Sequence, residues 1–223
     1  TFNVRAWLNY FLLDVIGDMA FGLPMGFIRA GSDTKPAQSP SGKEYTVPSM
    51  IKALHHGVRY SIVLAQITSL RLHGLIGALI GCSRYLSTRL GATDSANFEN
   101  ISLLQLQRRL DKRAPTDRPS RDFIGHIIAD KAGTARDLPF GEMVAESVVM
   151  MNAGSDTTAA ALTNTVFYLL SNPACLQKLR EELQTAVPAG QLHNDTVVKY
   201  DSVRTLPYLR ACIDESLRLR PPQ

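Results

Sequence analysis

The sequence predicts a mainly α-helical fold. Apolar residues recur at helical spacing along most of the 223 residues, and prolines and glycines separate these periodic segments from one another. With 45% hydrophobic and 20% charged residues, the chain has enough apolar side chains to form a folded core. No run alternates between apolar and polar residues as a half-buried strand would. We therefore expect almost no β-structure.

The first half of the chain contains predicted helices and one long loop. Apolar side chains recur at helical spacing until a Gly-Leu-Pro sequence ends an early helix, which we assign to residues 1–22. Residues 31–49 are rich in Gly, Pro, Ser and Lys and show no periodicity, so they are predicted to form a loop. Ser49 can cap the next helix, which is expected to end near Thr68. The apolar stripes that follow predict further helices over residues 49–114.

The second half of the chain contains a charged segment and three helices. Residues 108–122 mix basic and acidic side chains without the interleaved aromatic residues of a nucleic-acid site, so we predict a solvated loop and no nucleic-acid partner. Pro139 is a favourable first-turn residue for a long helix over residues 139–171. An Asn-Pro pair then starts another helix as N-cap and first-turn proline. Pro207 opens the last helix, residues 207–220.

The net charge, the cysteine content and the chain ends place few constraints on the fold or the function. The net charge of +4 permits an acidic partner without requiring one. Cys82, Cys175 and Cys212 are far apart in helical patterns, which argues against a disulfide framework or a Cys-x-x-Cys metal site. Charges and glycines interrupt the apolar runs, which argues against a membrane-spanning helix. Because the chain begins at Thr1 and stops at Gln223, we interpret it as an internal fragment.

The segment MNAGSDTTAA is unfavourable for the helix that contains it. Glycine costs a helix interior about 1 kcal/mol relative to alanine, and Ser, Asp and Thr compete for backbone hydrogen bonds. Helical spacing places Val149, Ala153 and Thr157 on one face, with Asp156 one step round. The small side chains beside Gly154 could admit a planar group or substrate, with a hydroxyl and a carboxylate for proton transfer. Alternatively, they could allow a second helix to cross closely.

The last helix contains a further candidate for a functional feature, a pair of charged residues. Glu215 and Arg218 are three residues apart and therefore neighbours on one helix face. Such pairs contribute only about 0.2–0.5 kcal/mol on a surface. The neighbouring Ile213 and Leu217 indicate partial burial, where a guanidinium paired with a carboxylate can fix a scaffold.

Three motifs occur in order in the second half of the chain: AGSDTT at 153–158, SNP at 171–173 and LPYLRACIDESLRLRPP at 206–222. Taken together, they resemble the cytochrome P-450 family of haem-thiolate monooxygenases in kind, order and separation. The opening WLNYFLLDVIGDMAFG is similar to an early helix of fungal microsomal members. The resemblance implies the helical core portion of the P-450 fold, an incomplete domain. In it, residues 139–171 form the long oxygen-binding helix over the haem, and residues 49–114 form helices over the substrate entrance.

The resemblance also implies roles for the AGSDTT residues. Thr157 would hydrogen-bond the oxygen species at the iron, and Asp156 would relay protons to it. Ala153 and Gly154 would leave room for oxygen over the porphyrin. These residues are therefore the candidate catalytic and cofactor-binding residues of the long helix.

Further roles follow from the same resemblance. Val149 and Asn152, on the same side of the long helix, are candidate substrate-pocket residues. Glu215 and Arg218 would form a buried structural pair behind the haem. None of the three cysteines lies in a glycine-containing loop like that of the family's iron ligand. The thiolate is therefore expected beyond Gln223, and no metal ligand is assigned in this chain.

For the complete protein the resemblance implies haem b, NADPH electrons delivered by an NADPH-cytochrome reductase, and an apolar small-molecule substrate of fungal secondary metabolism. It implies a location at the cytoplasmic face of the endoplasmic reticulum membrane, with the anchor outside this chain and membrane-surface contact by the helices of residues 49–114. The fragment alone is expected to be inactive. The alternative is a non-catalytic protein, either a truncated relative or a helical binding or scaffold protein.

Overall fold

The computed structural model describes residues 3–66, 70–83, 87, 89–111, 122–129, 136–186 and 197–222. Helices predominate in these residues, which confirms the predicted fold class. Two compact units are present, a large unit of residues 9–155 and a small unit of residues 1–8 and 156–223. The described helices and strands are α1 (Val4–Phe21), α2 (Phe27–Ala30), β1 (Lys35–Gln38), β2 (Glu44–Val47), α3 (Met50–Ala65), α4 (Leu70–Cys82), α5 (Ala92–Asp111), α6 (Phe123–Ile128), α7 (Phe140–Ser171), α8 (Pro173–Ala186), α9 (Tyr200–Val203) and α10 (Pro207–Leu219).

The large unit is built around an apolar core. Burying an aliphatic or aromatic side chain contributes about 1.5–3 kcal/mol, so this core is the main source of the unit's stability. Helices α1, α2, α3, α5, α6 and the first half of α7 all contribute to it. Its largest fully buried apolar side chains are Leu13, Phe21, Phe27, Val47, Met50, Leu54, Ile101, Leu106, Ile124 and Met151.

The prediction of a loop over residues 31–49 was wrong for residues 35–38 and 44–47, which form two strands, although the described residues contain as little β-structure as the sequence predicted. β1 and β2 form an antiparallel hairpin whose register places Ala37 opposite Tyr45. The Tyr45 hydroxyl donates to Asn97 Oδ1 and accepts from Asn100 Nδ2, both at 2.9 Å. Each strand has only four residues, too few for a period to emerge. Hydrogen bonds within its own turn and contacts with α5 both stabilise the hairpin.

The helix starts follow local sequence signals. Ser49 Oγ accepts a hydrogen bond from the backbone N–H of Lys52 at 3.1 Å and so caps α3. The helix expected to reach Thr68 ends at Ala65 in α3, and Thr68 lies outside the described residues. The predicted helices of residues 139–171 and 207–220 correspond to α7 and α10.

The prediction of a solvated loop over residues 108–122 was wrong at both of its ends, while residues 112–121 lie outside the described residues. Arg109, in α5, and Asp122, before α6, are each 8% exposed. Both Nε and a terminal guanidinium nitrogen of Arg109 lie 2.9 Å from Asp122 Oδ2. The other oxygen of Asp122 accepts from the N–H of Gly125 at 2.7 Å and caps α6. The buried ion pair therefore joins the end of α5 to the start of α6.

In the small unit, α8 holds the first turn of α10. The N-cap of α10 is Leu206, whose side chain forms no capping hydrogen bond. Instead, the carboxylate of Glu182 in α8 accepts from the backbone N–H groups of Tyr208 and Leu209, each at 2.8 Å. These groups have no partner within their own helix, so Glu182 supplies the capping that α10 needs.

Candidate functional site

The AGSDTT segment, residues 153–158, continues α7 without a break. One of its polar side chains forms a hydrogen bond within the helix. Ser155 is buried, and its hydroxyl donates to the Met151 carbonyl one turn earlier at 2.6 Å. A serine bonded in this way can occupy an apolar interface. The side of the segment that carries Ser155 is therefore buried and hydrogen-bonded, and it differs from the opposite side of the helix.

That opposite side is a strip of short side chains, which we call the α7 strip and define as Val149, Ala153 and Thr157. All three residues are exposed, Val149 by 58%. Asp156 lies beside the strip and is half-buried. Because residues four apart stack on one helix face, the strip offers an open surface on which a planar group can approach the helix backbone. A hydroxyl and a carboxylate lie on it or at its edge.

Gly154 faces α1 within the large unit. A Cβ placed on Gly154 would lie 2.6 Å from Cδ1 and 3.0 Å from Cγ1 of Ile16. Glycine therefore allows α1 and α7 to pack closely at this point. For Gly154 this supports close helix crossing, the alternative that the sequence left open. Its assignment to oxygen binding stays a prediction.

The Gly154 contact yields a first prediction. Alanine is favoured over glycine in a helix by about 1 kcal/mol, but overpacking a core costs about 1–3 kcal/mol. We expect Gly154→Ala to lower the free energy of unfolding by about 1 kcal/mol, and to become neutral or stabilising when Ile16→Val removes Cδ1. Urea unfolding followed by far-ultraviolet circular dichroism measures both effects.

Gly141→Ala is the matched control for this prediction. Gly141 lies in the same helix, and among the described residues an added Cβ there would meet no atom within 4 Å beyond its chain neighbours and its own helix backbone. It is expected to be neutral or stabilising. An equal cost of Gly154→Ala with and without the Ile16 change would refute the contact.

The structure separates the two predicted substrate-pocket residues, which the prediction placed on one side of the helix. Val149 is exposed on the α7 strip, whereas Asn152 is half-buried and lines a cavity of about 70 Å³ within the large unit. Helices α3 and α5 also line this cavity, and the sequence motifs did not predict their contribution. The one local signal was Gly57, where an added Cβ would lie 2.9 Å from Ser95 Cα, a close crossing of α3 and α5. The other lining residues are Leu54, Val58, Ser61, Phe98, Glu99 and Val148.

Glu215 and Arg218 pair as predicted from their spacing. Nε and a terminal nitrogen of Arg218 each donate to a different oxygen of Glu215 at 2.7 Å. This hydrogen bonding lowers the pKa of the Glu215 carboxyl. The predicted partial burial is absent here: the side chains are 53% exposed in Glu215 and 68% in Arg218. Among the described residues, no other segment packs over the pair to exclude water.

The cysteines and the acidic side chains form no metal centre among the residues that the structure describes, where no cluster of three or more His, Cys, Asp or Glu could hold an ion. Cys82 ends α4 and is exposed, and Cys175 is exposed in α8. Cys212 is half-buried in α10, and burial raises the pKa of its thiol. A protonated thiol is a poor metal ligand.

Comparison with known proteins identifies the family. A family model described as cytochrome P450 matches residues 1–223. The chain belongs to the cytochrome P450 family. The P450 relatives include cytochrome P450 monooxygenase astJ of Aspergillus oryzae, 30% identical over 222 residues, which are 100% of this chain and 38% of that protein. Benzoate 4-monooxygenase bphA of Aspergillus niger is 26% identical over 227 residues, 96% of this chain and 39% of that protein.

A solved P450 structure agrees in fold. The crystal structure of the cytochrome P450DA heme domain superposes with a TM-score of 0.61 at 18% identity, covering 97% of this chain and 40% of that one. This likeness shows the fold. The chain therefore spans about two fifths of the length of the P450 proteins that it matches.

Proposed function

We propose that the complete protein is a haem-dependent monooxygenase that inserts one oxygen atom of dioxygen into an apolar small molecule. The observation that carries the proposal is the α7 strip, an exposed face of short side chains with Asp156 at its edge, in a chain of the P450 family. The names of astJ and bphA describe both relatives as monooxygenases.

The α7 strip fits one face of a haem. The porphyrin is flat and largely apolar, and short side chains let such a group approach a helix backbone. When bound, haem supplies the oxidising chemistry, while the protein supplies binding, orientation and electrostatics. We assign none of the three cysteines as axial ligand. We propose that the thiolate belongs to sequence that P450 relatives contain outside the part they share with this chain.

The residues of the strip have separate roles in this proposal. The Thr157 hydroxyl would hold a proton by hydrogen bonding on the side of α7 that faces the haem, and the Asp156 carboxylate would exchange protons between that hydroxyl and solvent. Ala153 keeps the space beside Thr157 open. The apolar Val149 side chain, one turn earlier, excludes water and contacts the substrate, with Asn152 as a second pocket residue from the neighbouring face.

Glu215 yields the second prediction, that Glu215→Gln removes most of the haem from the complete protein. An exposed ion pair contributes about 0–1 kcal/mol, so a large loss requires that the pair be buried behind the haem in the complete domain. The pyridine haemochrome absorbance per mole of purified protein measures haem content.

Asp214→Asn is the matched control. It breaks another exposed pair of α10, in which Arg210 Nε lies 2.9 Å from Asp214 Oδ2. This variant is expected to load haem normally. Equal haem content in all three proteins would refute the structural role of Glu215.

The remaining parts of the proposal are the electron donor, the substrate and the location of the enzyme. Electrons come from NADPH through an NADPH-cytochrome reductase, and the substrate is an apolar compound of secondary metabolism. The protein lies at the cytoplasmic face of the endoplasmic reticulum membrane. None of the described helices combines the length and apolarity of a membrane span.

The function is tested by expressing the complete protein and recording its reduced carbon-monoxide difference spectrum. A thiolate-ligated haem spectrum, with NADPH consumption that depends on a reductase and an apolar substrate, is the expected result. A product that binds no haem would support the non-catalytic alternative and overturn the proposal.

A further inference from the structure

The cavity of about 70 Å³ between α3, α5 and α7 brings polar side chains against an apolar wall within the large unit. We call it the Asn152 cavity and define it by the residues that line it. Because a water molecule occupies about 30 Å³, the cavity has room for a small polar group and the carbon atom attached to it, rather than for a whole substrate. The polar lining residues are Ser61, Ser95, Glu99 and Asn152, and the others are Leu54, Gly57, Val58, Phe98 and Val148.

Two half-buried side chains of this lining, Ser95 and Asn152, form no side-chain hydrogen bond with any described residue. In contrast, the hydroxyl of Ser61 donates to the carbonyl of Gly57 at 3.0 Å. Neither Ser95 nor Asn152 belongs to the described residues whose unpaired side-chain oxygen or nitrogen atom is sealed from solvent. The hydroxyl of Ser95 and the amide of Asn152 therefore reach accessible space, where a ligand can bond to them.

Glu99 gives the lining of the cavity a negative charge. Its side chain is exposed, and none of the described basic residues forms an ion pair with it. The residues that line the cavity include no Lys, Arg or His. The Glu99 carboxylate, the amide oxygen of Asn152 and the hydroxyl oxygen of Ser95 are all hydrogen-bond acceptors. A primary ammonium group carries one positive charge and three N–H donors, so it matches this lining in both charge and hydrogen bonding.

We propose that the Asn152 cavity binds the primary ammonium group of an otherwise apolar substrate, through Glu99, Asn152 and Ser95. The buried side chains of Leu54 and Phe98 contact the carbon atoms next to the nitrogen. This inference rests on the proposed function in taking the cavity as part of the substrate pocket. It narrows the substrate from an apolar small molecule to an apolar molecule that carries one amino group. Binding of the amine requires neither haem nor turnover, because the lining belongs wholly to the large unit.

A pair of probes that differ in one group tests the ammonium site. 2-Naphthaleneethylamine is protonated at neutral pH, whereas 2-naphthaleneethanol has nearly the same shape and no charge. Each probe is brought to equilibrium with the complete protein by dialysis, and the naphthalene fluorescence of the protein-free chamber gives the free concentration. Because a hydrogen bond to a charged group is stronger than a neutral one, the amine is expected to bind at least about fivefold more tightly than the alcohol.

Substitutions in the lining assign the preference to its source. Glu99→Gln keeps the shape of the side chain, removes its charge and should abolish the preference for the amine. Asn152→Leu should weaken both probes at least about threefold, because the amide oxygen accepts from either. The matched control is Glu142→Gln, which removes an exposed carboxylate from the first turn of α7 and should retain the preference. Glu142 precedes Asn152 by ten positions, about 15 Å along the helix axis.

The outcomes separate this inference from the proposed function. Haem content is measured on the same protein by the pyridine haemochrome absorbance. A haem-loaded protein that does not bind the amine, that binds both probes equally, or whose preference persists in Glu99→Gln would overturn the ammonium site and leave the monooxygenase proposal standing. A protein that binds no haem but prefers the amine through Glu99 would support the site and contradict the proposed function.

Discussion

Asp122→Ala is expected to lower the free energy of unfolding by about 3–5 kcal/mol. The substitution removes the carboxylate that compensates the buried guanidinium of Arg109, at 2.9 Å, and breaking a buried ion pair by removing one partner costs about that much. It also removes the cap of α6, worth about 1 kcal/mol by itself. Urea unfolding followed by far-ultraviolet circular dichroism measures the loss.

Two further variants test whether the loss of stability comes from the buried ion pair. Asp18→Ala removes an exposed carboxylate from α1 of the same unit and is expected to change stability by less than about 0.5 kcal/mol. Replacing both Arg109 and Asp122 by apolar residues of similar volume is expected to cost less than Asp122→Ala, since no buried charge is left behind. A loss below about 1 kcal/mol for Asp122→Ala would contradict a buried pair.

Thr157→Ala is expected to uncouple electron use from product formation in the complete, haem-loaded protein. A positioned proton donor commonly contributes about 100-fold or more to rate, so product formed per NADPH should fall at least about tenfold. Hydrogen peroxide should rise by the corresponding amount. The measurement is the ratio of product to peroxide at equal NADPH consumption with a reductase present.

Thr163→Ala provides the comparison for this prediction. Thr163 lies in the same helix, and its hydroxyl donates to the carbonyl of Ala159 at 2.7 Å. Losing that bond should leave the product-to-peroxide ratio unchanged. If the two variants give the same ratio as the unmodified protein, the role assigned to Thr157 is wrong.

Much of the helical architecture was predictable because helix signals are local. The Ser49 hydroxyl caps α3 within one turn, and the prolines that open α8 and α10 act through their own ring geometry. The AGSDTT motif was recognisable for a related reason, since its residues are contiguous and lie on successive positions of one helix. The family assignment rested on such contiguous motifs and agrees with the family-model match.

Contacts between residues that are far apart in the sequence could not be predicted from local helix signals. The hairpin depends on Tyr45 meeting α5, about fifty residues later, and its four-residue strands are too short to show a period. Glu182, rather than a residue next to α10, caps that helix, so no local pattern marks it.

The amino-acid sequence by itself determined where most of the long helices begin, which family the chain belongs to, and which helix carries the candidate catalytic residues. The tertiary structure decided which charges are buried and which faces stay open. Arg109 and Asp122 looked like part of a solvated segment and form a buried pair, whereas Glu215 and Arg218 looked partly buried and are exposed. The physical reason is that spacing along a helix sets which side chains are neighbours, while burial depends on which distant segment packs over them.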